Sequence, residues 1–565
     1  MKIKLPKELT GTVFQKVFAV ELNGIDMDLF LPALYFKILG DGKARARRLN
    51  DPQAIARYID RLANHLEGAA TPDGRRVLER LVRTSLVKTG RVGNTNRGEQ
   101  ILAIAPYSIL AAKPGFPTES RRQRGADAFL YFALTRKVQE HKLLRDWLRQ
   151  CFGRGVELER LPLIDGYYDG DTELDILSRL TIAFSTGFEA TSVSTRRDTD
   201  TPPACPRQEQ ALADDLVSYL FAYSERMPSQ ALVAYLKPLL NLELFIYALR
   251  LVYAINALVR DPSQLPAAMG DADEAAPPEI YLDFTGNVGG LSHQMAADAV
   301  RRDVEAYQHF FRANLSLRQL DSYVKKLKES RRHKDLVNAN LPASEHGPAY
   351  LQAILALPKH PGLGLLIDIY AQEDIANILR TNQEAQRRGT QGEDRENLAA
   401  ALEQLTVTAE SDFERLVIML DHAQREQGLS NYIKWFASAG GINRNDGILA
   451  GVQRNRRSWR YAPSNELLAV LVQLAAVRMA PPNAAPDERV VAEIRLRDFL
   501  AFLERRFGFI IDRPPHGQHG AEYHAAAREN LRAMLARLRQ MGIFTDLSDD
   551  FTAQRLRPPY TTSRV

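Results

Sequence analysis

The 565-residue chain contains only two cysteines, Cys151 and Cys205. Two thiols cannot build a disulfide framework, and neither belongs to a C-x-x-C pair, so the chain is expected in a reducing compartment, the cytoplasm, without a zinc ribbon. The opening MKIKLPKELTG lacks the apolar stretch of about 7–15 residues that an export signal needs. Long uncharged runs are missing as well. The most apolar segment, LLNLELFIYALRLVYAINALV (239–259), carries Glu243 and Arg250, each costly at a bilayer centre, so it is read as a buried helix with no membrane as partner. No fixed-period repeat is visible, which argues against a solenoid.

Catalytic signatures are equally scarce. In GNTNRGEQ (93–100), Gly93 and Gly98 have the spacing of a phosphate-binding P-loop, but Glu99 and Gln100 stand where Lys and Ser or Thr belong. The stretch before it, LVRTSLVKTGRV, reads as a helix ending near Gly90. In IYLDFTGNVGGLSHQMA (280–296) an apolar strand meets Gly286, Gly289 and Gly290, a spacing that misses the dinucleotide fingerprint; Ser292 is expected to cap the following helix. DGYYDGDTELD offers five acids at a spacing that fails the EF-hand test, and HGQHGAEYH sets His516, His519 and His524 beside Glu522 in a glycine-rich loop. Asp127, Glu140 and Lys142 are the nearest approach to a nuclease set, but they sit in a helical pattern rather than on a strand. No catalytic residue, metal or cofactor is therefore nominated.

What the chain does have is globular composition, 45% hydrophobic and 25% charged with a net charge of +5, and strong helical periodicity. Apolar residues recur every three or four positions through 126–152 and 295–327, while strand signals such as EIYLDF and FGFIID are short. The predicted class is mainly α, multi-domain, with small β elements. Polar or proline-rich breaks at 194–210, 261–279 and 480–488 divide it into an N-terminal helical domain (1–193), a helical segment with the apolar helix (207–260), a central helical domain (279–479) and a C-terminal unit (489–565) expected to fold separately; 380–397 is read as a loop.

Positive charge concentrates at the C-terminus. Residues 489–565 hold 13 arginines and no lysine against 9 acids, an excess of four. The order there is helix, helix, then two short strands about a turn at Ser548–Asp550, which predicts a winged-helix-like domain. On its long helix Leu531, Leu535 and Leu538 define one face, with Arg528, Arg532 and Arg539 in a stripe beside it that suits phosphate contact. A second group, RNRRSWRYAP (454–463), interleaves Arg454, Arg456, Arg457 and Arg460 with Trp459 and Tyr461, a pattern that suits phosphate contact and base stacking and equally a structural hairpin.

FLAFLERRFGFIIDRPP, LRAMLARLRQMGIFTDLSDDFTAQRLRPPY and the upstream RRSWRYAPSNELLAVLV resemble the C-terminal winged-helix-like regions of accessory proteins in multi-gene bacterial anti-phage islands, methylation-associated ones among them. That resemblance implies a non-catalytic component working beside a methyltransferase, ATPase or nuclease from other genes. The leading expectation is a scaffold or adaptor whose partners are DNA and other subunits of the same system. An enzyme with a nuclease-type site assembled from distant residues, and a purely protein-interacting subunit, remain the alternatives.

Overall fold

The computed structural model describes residues 3–43, 54–64, 66–90, 99–114, 123–139, 141–187, 192–270, 277–388, 403–442, 444–479, 493–545 and 554–561. The protein is mainly α-helical with small β elements. Its axis is the helix Ser229–Arg260. That helix is apolar around its whole circumference, and a helix without a polar face must be covered on all sides. Pro206–Tyr223, Leu291–Glu329, Asp412–Ala439 and Asn465–Arg478 supply the cover. Among the described residues it is the one helix long and apolar enough to cross a membrane, and here its apolar surface faces protein.

The 39-residue helix Leu291–Glu329 runs past the central helix and carries Asp412–Ala439 and the strand Asn455–Tyr461 on its flank. A smaller cluster, with Tyr58, Ile59, Leu86, Ile101 and Phe184 at its centre, lies under the antiparallel pair Val87–Gly90 and Gln100–Ile104. Here the reading of 82–90 as helix is corrected. The helix Pro72–Leu81 loosens through a π turn, Val82–Leu86, and Val87–Gly90 pairs as a strand, since a β-branched segment next to an apolar strand gains more from the ladder than from another helical turn. The glycine-spaced loop 93–98 lies outside the described residues; Glu99 is ion-paired to Arg83 at 2.5 Å. The 126–152 run is likewise two helices, Ala126–Val138 and His141–Phe152. Gln139 takes a left-handed φ of 62° and closes the first, its N–H donating to Thr135 O. The region read as a loop from 380 is helical as far as Arg388, the end of Pro361–Arg388.

The four expected segments share one core. A single buried cluster draws on all four, from Ile3 to Leu556. The tie to the C-terminal region is ionic. Arg506, on Leu496–Phe507, places Nε 2.5 Å from Asp215 Oδ2 and Nη2 2.7 Å from Glu243 Oε2, both carboxylates being fully buried. Arg478 Nε lies 3.4 Å from the other oxygen of Asp215. Four helices meet at this cluster. A parallel strand pair, Ile280–Tyr281 with Phe509–Ile510, adds a second tie. Gly508 makes the turn into it at φ 76°, where a Cβ would come 2.3 Å from Pro278 O.

The C-terminal order is helix Leu496–Phe507, helix Ala521–Gln540, then the antiparallel strands Phe544–Thr545 and Arg555–Leu556, with the turn between them outside the described residues. The third strand of that sheet is Ile494–Arg495, which precedes both helices. The strand between the helices pairs instead with Ile280–Tyr281. This connectivity departs from a free-standing winged helix, whose strands pair among themselves.

Removing Arg506 leaves two buried carboxylates without their counter-charge. Arg506→Met is expected to lower unfolding free energy by about 3–5 kcal/mol. Arg505→Met, one residue earlier and exposed, should stay within about 0.5 kcal/mol. Denaturant titration of the two variants decides; equal small effects would remove the ion cluster from its central place.

Candidate nucleic-acid interface

The helix Ala521–Gln540 buries Ala527, Asn530, Met534 and Leu538, a stripe at i, i+3, i+7 and i+11. Leu531 and Leu535, expected at the centre of the apolar face, sit at its margin and are half-buried. The shift follows from Asn530. Its Nδ2 donates to Leu282 O at 2.7 Å and to Ile511 O at 3.1 Å, and its Oδ1 accepts from Phe284 N at 2.7 Å. One buried amide thus sets the rotation of the helix by satisfying three backbone groups.

That rotation leaves Arg528, Arg532 and Arg539 exposed. The Arg539 guanidinium lies 5.2 Å from the centroid of the Phe544 ring. Arg537 turns the other way: its Nη1 donates to Pro463 O at 2.9 Å, its guanidinium lies over Phe284, and burial lowers its pKa. At 100° per residue Arg537 is about 160° around the axis from the middle of the exposed stripe.

The second arginine group lies on the antiparallel pair Leu449–Val452 and Asn455–Tyr461. Arg454, Arg456 and Arg457 project from its exposed end. Trp459 does not. It is 2% exposed, its Nε1 donates to Val452 O at 3.0 Å, and its ring lies parallel to Phe436. The expectation that Trp459 stacks on a base is therefore corrected: strand alternation turns Trp459 and Tyr461 to the same inner face, where no base reaches. Tyr461 donates its hydroxyl to Asp303 Oδ2 at 2.7 Å. Arg460 is also committed, with Nε 3.2 Å from Asp283 Oδ2. Asp283 further accepts from Thr285 Oγ1 at 2.7 Å and from Ser292 Oγ at 2.8 Å, so Ser292 serves that carboxylate while Gly290 is the helix N-cap.

The chain just beyond the hairpin meets the helix at Arg537, on the side away from the exposed stripe. Nothing local marks Asn530 or Asp283 as the residues that orient these elements, because partners lie as far as 248 residues away. Several other sequence candidates are held in structural roles. Asp165 pairs with Lys113 at 2.7 Å, Asp169 accepts from Thr172 N at 3.0 Å, and Asp175 caps Ile176–Thr186. His516 bonds to Glu279. Asp127 sits in a helix where burial raises its carboxyl; Glu140 lies outside the described residues. Burial pushes the thiols of Cys151 and Cys205 up to about 12, which leaves little thiolate for nucleophilic chemistry.

The fold defines a mainly helical protein around one large core, with two groups of exposed arginines in its C-terminal third. The chain belongs to the family of methylation-associated defense system protein MAD7, whose family model matches residues 7–560. The match extends the resemblance from about 110 C-terminal residues to nearly the whole chain, and it gives the protein a role in anti-phage defence with other proteins of that system as partners. No curated protein matches the chain at a significant level.

Because its indole is packed and hydrogen-bonded, Trp459→Ala is expected to destabilise the fold by about 3–5 kcal/mol. The unfolding midpoint measures this. A variant as stable as the parent would show that the ring is free, and would reopen stacking.

Proposed function

We propose that this chain is a non-catalytic adaptor of its defence system that holds DNA against the arginines of its C-terminal third, in the manner of a winged-helix-like reader. One observation carries the reading. Arg454, Arg456 and Arg457 on one rigid element, and Arg528 and Arg532 on another, are exposed and meet no carboxylate among the described residues. Guanidinium groups suit phosphate because their planar fork donates two parallel hydrogen bonds. A solvated arginine needs no partner to be stable, but two such groups on elements locked to the core supply pre-positioned contacts at little entropic cost.

Each phosphate neutralised on duplex DNA releases condensed counterion, so log affinity should fall with log salt by about 0.9 per contact. Replacing Arg528, Arg532 and Arg539 with Ala should weaken duplex binding and reduce the slope by about 2–3; replacing Arg454, Arg456 and Arg457 should do the same. Fluorescence anisotropy over a salt series reads both. A parent protein that binds duplex without salt dependence, or triple variants with the parental slope, would refute the DNA reading and leave these faces to protein partners.

A further inference from the structure

The N-terminal segment 6–16 crosses the flank of Leu291–Glu329 as one 3-10 turn, Lys7–Leu9, followed by irregular chain. It is pinned by side-chain amides: Asn314 Nδ2 donates to Thr12 O at 2.8 Å, and Gln424 Nε2 donates to Leu9 O at 3.2 Å. Between this segment, the long helix, Pro361–Arg388 and the stretch bearing Thr199 and Thr201 lies a cavity of about 740 Å³. That volume falls in the range of about 300–1,000 Å³ found for small-molecule sites.

Its two sides differ in chemistry. Pro6, Leu9, Val13 and Phe14 line one side, with Glu8 and Lys16 from the same segment, and Arg318, Lys325 and Lys326 the other, where Asp321 and Asp374 also reach the wall. The three cations are spaced by seven and eight residues on one helix, which sets them on one face. The lysines are backed by acids. Lys325 Nζ lies 2.8 Å from Asp321 Oδ2, and Lys326 Nζ lies 3.9 Å from Asp374 Oδ1. These carboxylates are held from behind by hydroxyls, Tyr350 donating to Asp321 at 2.6 Å and Tyr323 to Asp374 at 2.8 Å. Arg318 has no such counter-charge among the described residues. Its Nη2 makes one long bond, 3.4 Å to Glu8 O, and its guanidinium lies so close over Gly11 that a Cβ there would come within 2.4 Å. Burial without a carboxylate lowers its pKa.

A half-buried guanidinium without an anion is an unfavourable arrangement that an anionic ligand relieves. We propose that this cavity is a nucleotide-binding site, with phosphates on Arg318, Lys325 and Lys326 and the base against Val13 and Phe14. Gln15, Asn377, Thr199 and Thr201 line the remaining wall with amides and hydroxyls suited to a sugar and a base edge. The apolar side selects a nucleotide over inorganic phosphate, and the cationic side selects it over a nucleoside. This site is independent of the arginine surfaces of the C-terminal third.

Isothermal titration of the full chain with ATP, adenosine and pyrophosphate tests the assignment. ATP should bind more tightly than either fragment. Arg318→Met should weaken ATP about tenfold or more, the loss of one charge-assisted hydrogen bond. Lys326→Gln, at a partly exposed side chain, should weaken it severalfold and guards against misfolding of the first variant. Arg332→Ala, exposed past the end of the helix, should change nothing. No binding of ATP would overturn the site. Pyrophosphate binding as tightly as ATP would overturn the nucleotide assignment, and parental ATP affinity in both cleft variants would place any binding elsewhere.

Discussion

Arg506 is the charge on which the arrangement of the molecule depends. A guanidinium taken out of water must meet carboxylates at close range, and here they come from two different helices, Asp215 on Pro206–Tyr223 and Glu243 on Ser229–Arg260. Burial opposes the charge, and the two carboxylates nevertheless hold the Arg506 guanidinium above its ordinary pKa. Burial and the neighbouring Asp215 raise Glu243 well above the carboxylate range, while burial and Arg506 bring Arg250 down to about 9. Arg250 completes the tie by donating to Gln208 and to the Arg506 carbonyl. Such a cluster adds little net free energy over an apolar core of the same shape, but it penalises every arrangement in which one member is missing. It therefore specifies how the C-terminal helices dock.

Docking in turn makes the outer surface rigid. Once Leu496–Phe507 is set by Arg506, the strand Phe509–Ile510 lies beside Ile280–Tyr281, and Asn530 closes the next helix onto the same backbone. Asp283, two residues beyond that strand, holds Arg460 and so the base of the hairpin. The exposed arginines thus stand on elements traceable, contact by contact, to one buried ion cluster.

The helical class was legible because long periodic segments such as 295–327 bury one stripe whatever surrounds them. The two charges that argued against a membrane span in 239–259 were legible too, though not their use, since Arg506 is 263 residues from Glu243. The expected breaks have a physical meaning apart from domain boundaries. Proline and polar residues mark where helices stop, and here the chain stops and turns back into the same core, as at Cys205, which is fully buried at the end of an irregular stretch. In the hairpin both readings were open, and SWRY alternates at period two, which puts Trp459 and Tyr461 on one face and Arg460 on the other. The cleft beside Arg318 had no signal, because its walls come from residues about 300 positions apart.

If Arg506 locks the C-terminal third to the central helix, the two unfold as one cooperative unit. Native-state hydrogen exchange followed by mass spectrometry tests it directly, by comparing the opening free energy of Ala521–Gln540 with that of Ser229–Arg260 under rising denaturant. The two are expected to converge on one global opening, and Arg506→Met is expected to split them, with the C-terminal helix opening first. Separate opening in the parent protein, with the C-terminal helix exchanging well below the global free energy, would contradict it.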